Sequence, residues 1–277
     1  MNKQAILDLQ DKVAIVTGAH RGIGLATAAR LAAGGARVIL ADLPSTDLAG
    51  ATRKAAEHGE VAHHAVDITS EDSVKALIEF TMDTFGRVDV LDNNAAYAGS
   101  PADIDLLSME TDEWDKTFII NARGTMLMCK HTVAAMLKTG GGSIINISSG
   151  TAVSGHMYQT AYACSKGAIN TLTQYIATQY GAQGVRCNAI APGLVKTENL
   201  AASMPEAMQE VLRENKLVPR LGDPADIAEM VAFLGSDRSS WITGQIYAVD
   251  GGFLAKAPHL ASERRLMEQM HVGLGEQ

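Results

Sequence analysis

The chain of 277 residues carries a net charge of −8, 26 Gly, 12 Met and a hydrophobic fraction of 47%; that is enough for one large core in a single α/β domain, and its acidity excludes nucleic acid as an expected partner. Cys129, Cys164 and Cys187 are scattered without C-x-x-C spacing and the eight His form no H-E-x-x-H pair, which excludes a disulfide framework and a metal site from expectation. No apolar run reaches the roughly 18 residues of a membrane span and the polar start, residues 1–12, lacks the apolar core of a targeting segment, so a reducing cytoplasm is expected.

In chain order, residues 13–17 read as a short apolar strand, followed by Gly18-Ala19-His20-Arg21-Gly22-Ile23-Gly24 and an Ala/Leu-rich helix to about Ala33. Strand, glycine turn and helix form a unit that cradles phosphates, because glycines let a pyrophosphate approach the backbone where helix N–H groups are free. The spacing G-x3-G-x-G departs from the G-x-G-x-x-G fingerprint, so that pattern cannot be invoked as written. Residues 37–41 make a second strand with Asp42 at its end, eighteen residues past Gly24. An acid there can accept hydrogen bonds from a ribose diol.

Residues 61–67 predict strand three, ending at Asp67, and residues 70–85 an amphipathic helix with a Ser70 cap. Residues 88–91 predict strand four, ending in Asp92-Asn93-Asn94-Ala95-Ala96. A single long helix is expected over 111–137, with Asn121 an amide among apolar neighbours. Strand five covers 143–147 and leads to Ser149. A helix then runs to about Tyr180, strand six spans 185–191 before Pro192-Gly193, and a polar, Met-rich loop and helix fill 194–218. The next helix, 223–234, has Asp223 as cap and Pro224 at its first position, and residues 245–249 close the series as strand seven.

Seven strands alternating with helices predict a Rossmann-like, doubly wound parallel sheet with helices on both faces, whose ligands lie at the carboxyl ends of the strands. Gly18, Asp42, Asp67, Asn93, Ser149 and Pro192 all fall there. The chemistry concentrates in Tyr162-Ala163-Cys164-Ser165-Lys166. Four residues of separation put Tyr162 and Lys166 on one helix face, where an ammonium favours the phenolate and brings a poor base toward working range. Ser149, thirteen residues earlier, supplies a hydroxyl at the sheet's carboxyl end. Ser, Tyr and Lys together make a proton-transfer device for a hydroxyl or carbonyl.

On these motifs the chain resembles the short-chain dehydrogenase/reductase family over roughly residues 10–253. Thr17 to Gly24 is similar to the family's T-G-x3-G-x-G cofactor motif, and Asn93-Asn94-Ala95-Ala96 to its N-N-A-G, with Ala96 in place of glycine beside the nicotinamide. The resemblance implies a catalytic tetrad of Asn121, Ser149, Tyr162 and Lys166. Tyr162 would move the proton, Ser149 hold the substrate oxygen, Lys166 grip the ribose and Asn121 place a relay water. It also implies cofactor contacts from Gly18, Arg21, Gly22, Ile23, Gly24, Asp42, Asp67, Ile68, Asn94, Pro192, Gly193, Val195 and Thr197, besides Tyr162 and Lys166. The implied activity is NAD(P)-linked interconversion of an alcohol and a carbonyl, and the implied assembly a homotetramer.

Asp42 predicts NAD over NADP, since a 2′-phosphate would meet a like charge; Arg21, placed where NADP-using relatives carry a basic residue, is the opposing signal. Beside Ser149 and Tyr162, the variable segments 95–107, 150–158 and 194–218 offer Tyr97, His156, Met157, Tyr158, Leu194, Met204, Met208 and Leu212 to a substrate, the methionines as an adaptable apolar wall for a hydrophobic, cyclic or aromatic secondary alcohol. Alternatives are an NADPH-dependent carbonyl reductase of 3-oxoacyl type and a non-catalytic cofactor-binding regulator. A Ser hydrolase lacks its G-x-S-x-G elbow here. The domain expected is 1–254, followed by a tail, 255–277, whose 262–270 stretch could form one amphipathic helix packing on a partner subunit and closing a substrate pocket.

Overall fold

The computed structural model describes residues 9–100, 103–198, 200 and 204–270. Expectations that rest on the polar start before residue 9, on the end of the tail beyond 270, and on residues 101–102, 199 and 201–203 of the variable segments lie outside the described residues.

The strands are β1 (Val13–Thr17), β2 (Arg37–Asp42), β3 (Val61–Ala65), β4 (Val90–Asn93), β5 (Gly142–Ile147), β6 (Val185–Pro192) and β7 (Ile246–Val249). All pair in parallel, in the order β3-β2-β1-β4-β5-β6-β7. The order reverses between β1 and β4, which opens a crevice at their carboxyl ends. β1 is buried at every position, as an unbroken apolar run in a central parallel strand must be. β3, on the edge, alternates and keeps His63 and His64; it ends at Ala65, two residues before the predicted Asp67.

The helices are α1 (Gly22–Ala33), α2 (Leu48–Ala56), α3 (Glu71–Phe85), α4 (Thr111–Phe118), α5 (Thr125–Met136), α6 (Thr160–Tyr180), α7 (Glu206–Glu214), α8 (Pro224–Gly235) and α9 (Leu260–Gln269). α1, α2 and α8 cover one face of the sheet, where Leu31, Ala55 and Val231 pack on Val16, Leu40 and Ile190. α3, α5 and α6 cover the other, with Leu77, Met128 and Ile176 against Ile15, Leu91 and Ile144. Neighbours such as Ile15 and Val16 point to opposite faces, so each strand feeds two cores. Every such Leu or Ile contributes about 1.5–3 kcal/mol by leaving water.

Helix ends follow local chemistry. Ser70 Oγ accepts from Ser73 N at the start of α3, and Gly86, in the left-handed region, stops it. Asp226 turns back to accept from Asp223 N at 2.8 Å before α8. Two elements depart from the sequence reading. Leu48–Ala56, where no element is placed from sequence, is a helix capped by Asp47, whose carboxylate accepts from Gly50 N at 2.8 Å. The single helix expected over 111–137 is interrupted by a π turn, Ile119–Gly124. Gly124 packs there on Ile68, whose Cδ1 would lie 2.8 Å from a Cβ, and Asn121 is turned into the interior.

Candidate active site

The glycine turn fits its surroundings so closely that side chains are excluded from it. Gly18 takes φ +65°, a left-handed conformation that glycine tolerates, and a Cβ on it would lie 2.8 Å from Ala95 Cα. A Cβ on Gly24 would stand 2.3 Å from Gly18 O and 2.6 Å from Asn94 Nδ2. Asn94 holds the turn from below, Nδ2 donating to Thr17 O and Gly18 O at 3.0 and 3.1 Å. Thr17 Oγ1 accepts from Asn94 N and Ala95 N, both at 3.1 Å. α1 starts without a side-chain cap or an acidic residue in its first turn, so its leading N–H groups stay available to an anion.

This turn forms one wall of a cleft of about 1000 Å³. Gly18, Arg21, Gly22, Ile23, Asp42, Asp67, Ile68, Asn94 and Thr197 all line it. Gly24, Pro192, Gly193 and Val195 do not. Gly24 supports the turn from beneath; Gly193 packs on Asp250, 2.7 Å from where its Cβ would be; Val195 is buried. A dinucleotide fits this donor set, with a glycine turn and open helix start for the pyrophosphate and a carboxylate at the end of β2.

That carboxylate is held in place. Asp42 is 8% exposed; its Oδ2 accepts from His20 N at 3.1 Å and lies 2.7 Å from His20 Nδ1, while Oδ1 accepts from Leu43 N at 2.8 Å. The grip of His20 on Asp42 is absent from the sequence reading. Thr-Gly-Ala-His carries a signal for it only once β1 and β2 are known to be neighbours.

Ser149, Tyr162 and Lys166, the groups expected to move a proton, are not among the residues that line this cleft. Ser149 leaves β5 in extended conformation, its Oγ accepting from Thr151 N and Oγ1 at 3.2 and 2.9 Å. Tyr162 stands in the first turn of α6, near enough to Ser149 for that hydroxyl to pull its phenol down. Lys166 is buried, its Nζ donating to Ile147 O at 2.7 Å and lying 5.7 Å from the Tyr162 ring centroid. Burial pushes Tyr162 above its ordinary value, and the nearby Ser149 hydroxyl pulls it back. Burial likewise pushes Lys166 down to about 8. Both groups resist charging in a low-dielectric site.

Asn121 is wholly buried and its amide fully committed. Oδ1 accepts from Tyr97 N at 2.8 Å; Nδ2 donates to Tyr97 O at 2.9 Å and Ser165 Oγ at 3.0 Å. The side chain therefore ties the segment after β4 to α6, with both amide N–H groups engaged and one acceptor position on Oδ1 in use. Ala96 is not in the left-handed region, where Asp11 and Gln159 are the non-glycine residues among those described, so it stands in for the family's glycine without strain.

The substrate candidates line the segments around Ser149 and not the cofactor cleft. His156 is exposed and hydrogen-bonded to Ser154 Oγ at 3.2 Å; Met157 is 91% and Met208 42% exposed. Leu194 and Met204 are half-buried, and Leu194 O accepts from Lys216 Nζ at 3.0 Å. Sequence reasoning missed Leu254, whose Cδ1 would lie 3.9 Å from a Cβ on Gly150, next to Ser149. It missed Asp103 as well, a buried carboxylate on the backbone of Ala161 and Tyr162.

Residues 18–254 match the model of a family described as enoyl-(acyl carrier protein) reductase. The chain is 46% identical over 254 residues to a short-chain type dehydrogenase/reductase of Bradyrhizobium diazoefficiens, covering 91% of this chain and 90% of that protein. It is 38% identical to a cis-4-hydroxycyclohexanecarboxylate dehydrogenase of Sinomonas cyclohexanicum, over 88% of this chain and 97% of the relative. It is 34% identical to a 7alpha-hydroxysteroid dehydrogenase of Bacteroides fragilis, over 90% and 96%.

Proposed function

The chain belongs to the short-chain dehydrogenase/reductase family, an oxidoreductase acting between CH–OH and carbonyl groups, and on that premise we propose that it uses NAD to interconvert a hydrophobic cyclic secondary alcohol and its ketone. The observation that carries the reading is buried Lys166, held on Ile147 O at 2.7 Å and 5.7 Å from the Tyr162 ring, with Ser149 following β5 at the sheet's carboxyl edge. A bound nicotinamide supplies the hydride acceptor and donor. Ser149 holds the substrate oxygen, and Tyr162 takes its proton in oxidation or returns it in reduction. Lys166, anchored on Ile147 O, presents its remaining N–H groups to the ribose. Asp42 accepts from the adenosine ribose and repels a 2′-phosphate. Asp67 and Ile68, which line the cleft, would hold the adenine end, and Thr197, with Pro192, Gly193 and Val195 behind it, would hold the carboxamide.

Support for a cyclic, apolar substrate comes from the exposed apolar groups of the variable segments, Ile104, Leu107, Met157 and Met208, and from relatives named for a cyclohexane acid and a steroid. A second reading, an NADPH-dependent carbonyl reductase of 3-oxoacyl type, is favoured by Arg21, exposed on the cleft wall, and by a 34% identical 3-oxoacyl-[acyl-carrier-protein] reductase of Thermotoga maritima. We place the enzyme in the cytoplasm as a homotetramer. The three thiols are free, and burial pushes Cys129 up to about 12, which leaves it inert.

Among the described residues no helix is long and apolar enough to cross a membrane. The tail meets its own chain: α9 reaches α7 through Arg265 and Glu214 at 3.2 Å, and Lys256 Nζ donates to Asn215 Oδ1 at 3.2 Å. Leu266 and Met270 remain 56% and 63% exposed for a partner subunit. The test is nicotinamide absorbance with a panel of cyclic, acyclic and sugar alcohols against NAD and NADP. A higher kcat/KM with NADP, or sugars preferred to cyclic alcohols, overturns the respective part of the reading.

A further inference from the structure

α6 begins without help from its own sequence. Gln159, the residue before its first turn, sits at φ 67°, ψ 43°, and supplies no side-chain cap. A left-handed residue other than glycine is strained and persists only where its surroundings hold it. The hold comes from 56 or more residues upstream. Asp103 O accepts from Gln159 N at 2.7 Å, and Gln159 Nε2 donates to Ala98 O at 3.2 Å. The Asp103 carboxylate then takes the next free N–H groups, Oδ1 from Ala161 N and Oδ2 from Tyr162 N, each at 3.1 Å. Asp103 is 2% exposed.

A carboxylate on leading helix N–H groups is charge-assisted and aligned with the helix dipole. One of those N–H groups belongs to Tyr162 itself, so the carboxylate fixes the backbone from which the phenol projects. Asp103 also stands directly before Ile104, Leu106 and Leu107, exposed apolar groups on the substrate side. On the far side of the same turn, Ser165 Oγ donates to Tyr162 O at 2.7 Å and accepts from Asn121. The seat of Tyr162 is thus built from three separate stretches of chain.

We propose that Asp103 is the positioning residue for Tyr162, fastening the substrate-side segment after β4 to the first turn of α6 and so setting the phenol against Ser149. The proposal rests on the reading of Tyr162 as the proton-transfer group. Removing the carboxylate lets the turn relax, and displacements of about 1 Å in an active site cost up to roughly 10²-fold in rate. The pull of the Ser149 hydroxyl on the phenol weakens at the same time, so alcohol oxidation needs a higher pH.

The test uses the full chain and compares Asp103→Ala, Asp103→Asn and Tyr162→Phe for kcat, its pH profile, NAD binding by titration, and melting temperature. Asp103→Ala is expected to lower kcat about 10- to 100-fold and to move the oxidation profile to higher pH, with NAD affinity near that of the parent. Asp103→Asn, which keeps one acceptor, should fall between. A folded Asp103→Ala enzyme with parental kcat and pH profile overturns the proposal, even if its melting temperature drops, because a mere helix cap would act on stability alone. Should Asp103→Ala fail to fold, Asp103→Asn decides by the same two readouts. If Tyr162→Phe retains turnover, the reading of the site fails. If Tyr162→Phe is dead while the Asp103 variants are parental, only the positioning role fails.

Discussion

The two sides of the site are built on opposite plans. On the cofactor side, Gly18, Asn94, Thr17 and Asp42 interlock within the interior, while the leading N–H groups of α1 stay open to an anion. On the substrate side, Ile104, Leu107, Met157 and Met208 lie between 42% and 98% exposed. Backbone groups and a fixed carboxylate suit a ligand whose shape never varies, while long apolar side chains adapt to one that does. The catalytic groups stand at the seam, anchored from the interlocked side and facing the open one.

Breaking the seam has the largest effect. Tyr162→Phe removes only the ionisable oxygen, and kcat should fall about 10²- to 10⁴-fold while NAD titration stays parental. Because burial holds the parent phenol above its ordinary value, oxidation by the parent should quicken as pH rises through 7 to 9, and reduction, which needs the protonated phenol, should not. The variant should show no such rise. A Tyr162→Phe enzyme within about tenfold of the parent in turnover would remove Tyr162 from the chemistry.

Gly24→Ala attacks the interlocked side. Its Cβ would be 2.3 Å from Gly18 O, so the glycine turn must move, and NAD affinity should drop by about 10²-fold with proton transfer intact once saturated. Titration of the variant with NAD checks this. Unchanged affinity would show the turn to be more pliable than its packing indicates.

Asp92 sharpens the comparison, being the flaw in the interlocked side. It is fully buried beneath the turn, its main-chain oxygen accepting from Thr17 Oγ1 at 3.2 Å while neither carboxylate oxygen has a partner among the described residues. Burial raises its carboxyl well above the ordinary value. The folded-state pKa exceeds the unfolded one, so the fold loses stability as pH rises through the folded value. Asp92→Val should therefore stabilise by about 1–3 kcal/mol at pH 8, and by little near pH 3, in denaturant titrations at the two pH values. A loss of stability at pH 8 would mean that the carboxyl has a partner in solution.

The smallest effect belongs to the open side. Deleting residues 257–277 removes the Arg265–Glu214 pair and should raise substrate KM about two- to fivefold, the scale of one exposed ion pair, or weaken assembly by light scattering. The Kd for NAD should not move. Parental kinetics in an unchanged oligomer would make the tail a passenger.

How much was legible follows the same division. β1, α1, the Ser70 cap and the Tyr162 helix were readable because period, turn chemistry and capping are local. α2 escaped because its start signal, Asp47, lies in a polar stretch that reads as loop. The π turn escaped because its cause is an amide bonded to Tyr97 and Ser165, neither adjacent in sequence. Asn121 was recognisable as a special residue, but its side chain proved to be a tie between segments. The substrate residues were the least legible, since apolar side chains in a loop look alike whether they will pack or await a ligand.

By itself the sequence determined the alternation of strands and helices, the parallel sheet, the glycine turn, the acid after β2 and the Ser-Tyr-Lys constellation, because spacing and periodicity encode them directly. The tertiary structure alone decided that His20 clamps Asp42, that burial raises the Tyr162 phenol, and that Asp103 accepts from the first N–H groups of α6. Each of these depends on which segments meet and how much water the meeting excludes. Contacts spanning 22 to 59 residues and a local dielectric are properties of the packed chain, and no pattern along the sequence states them.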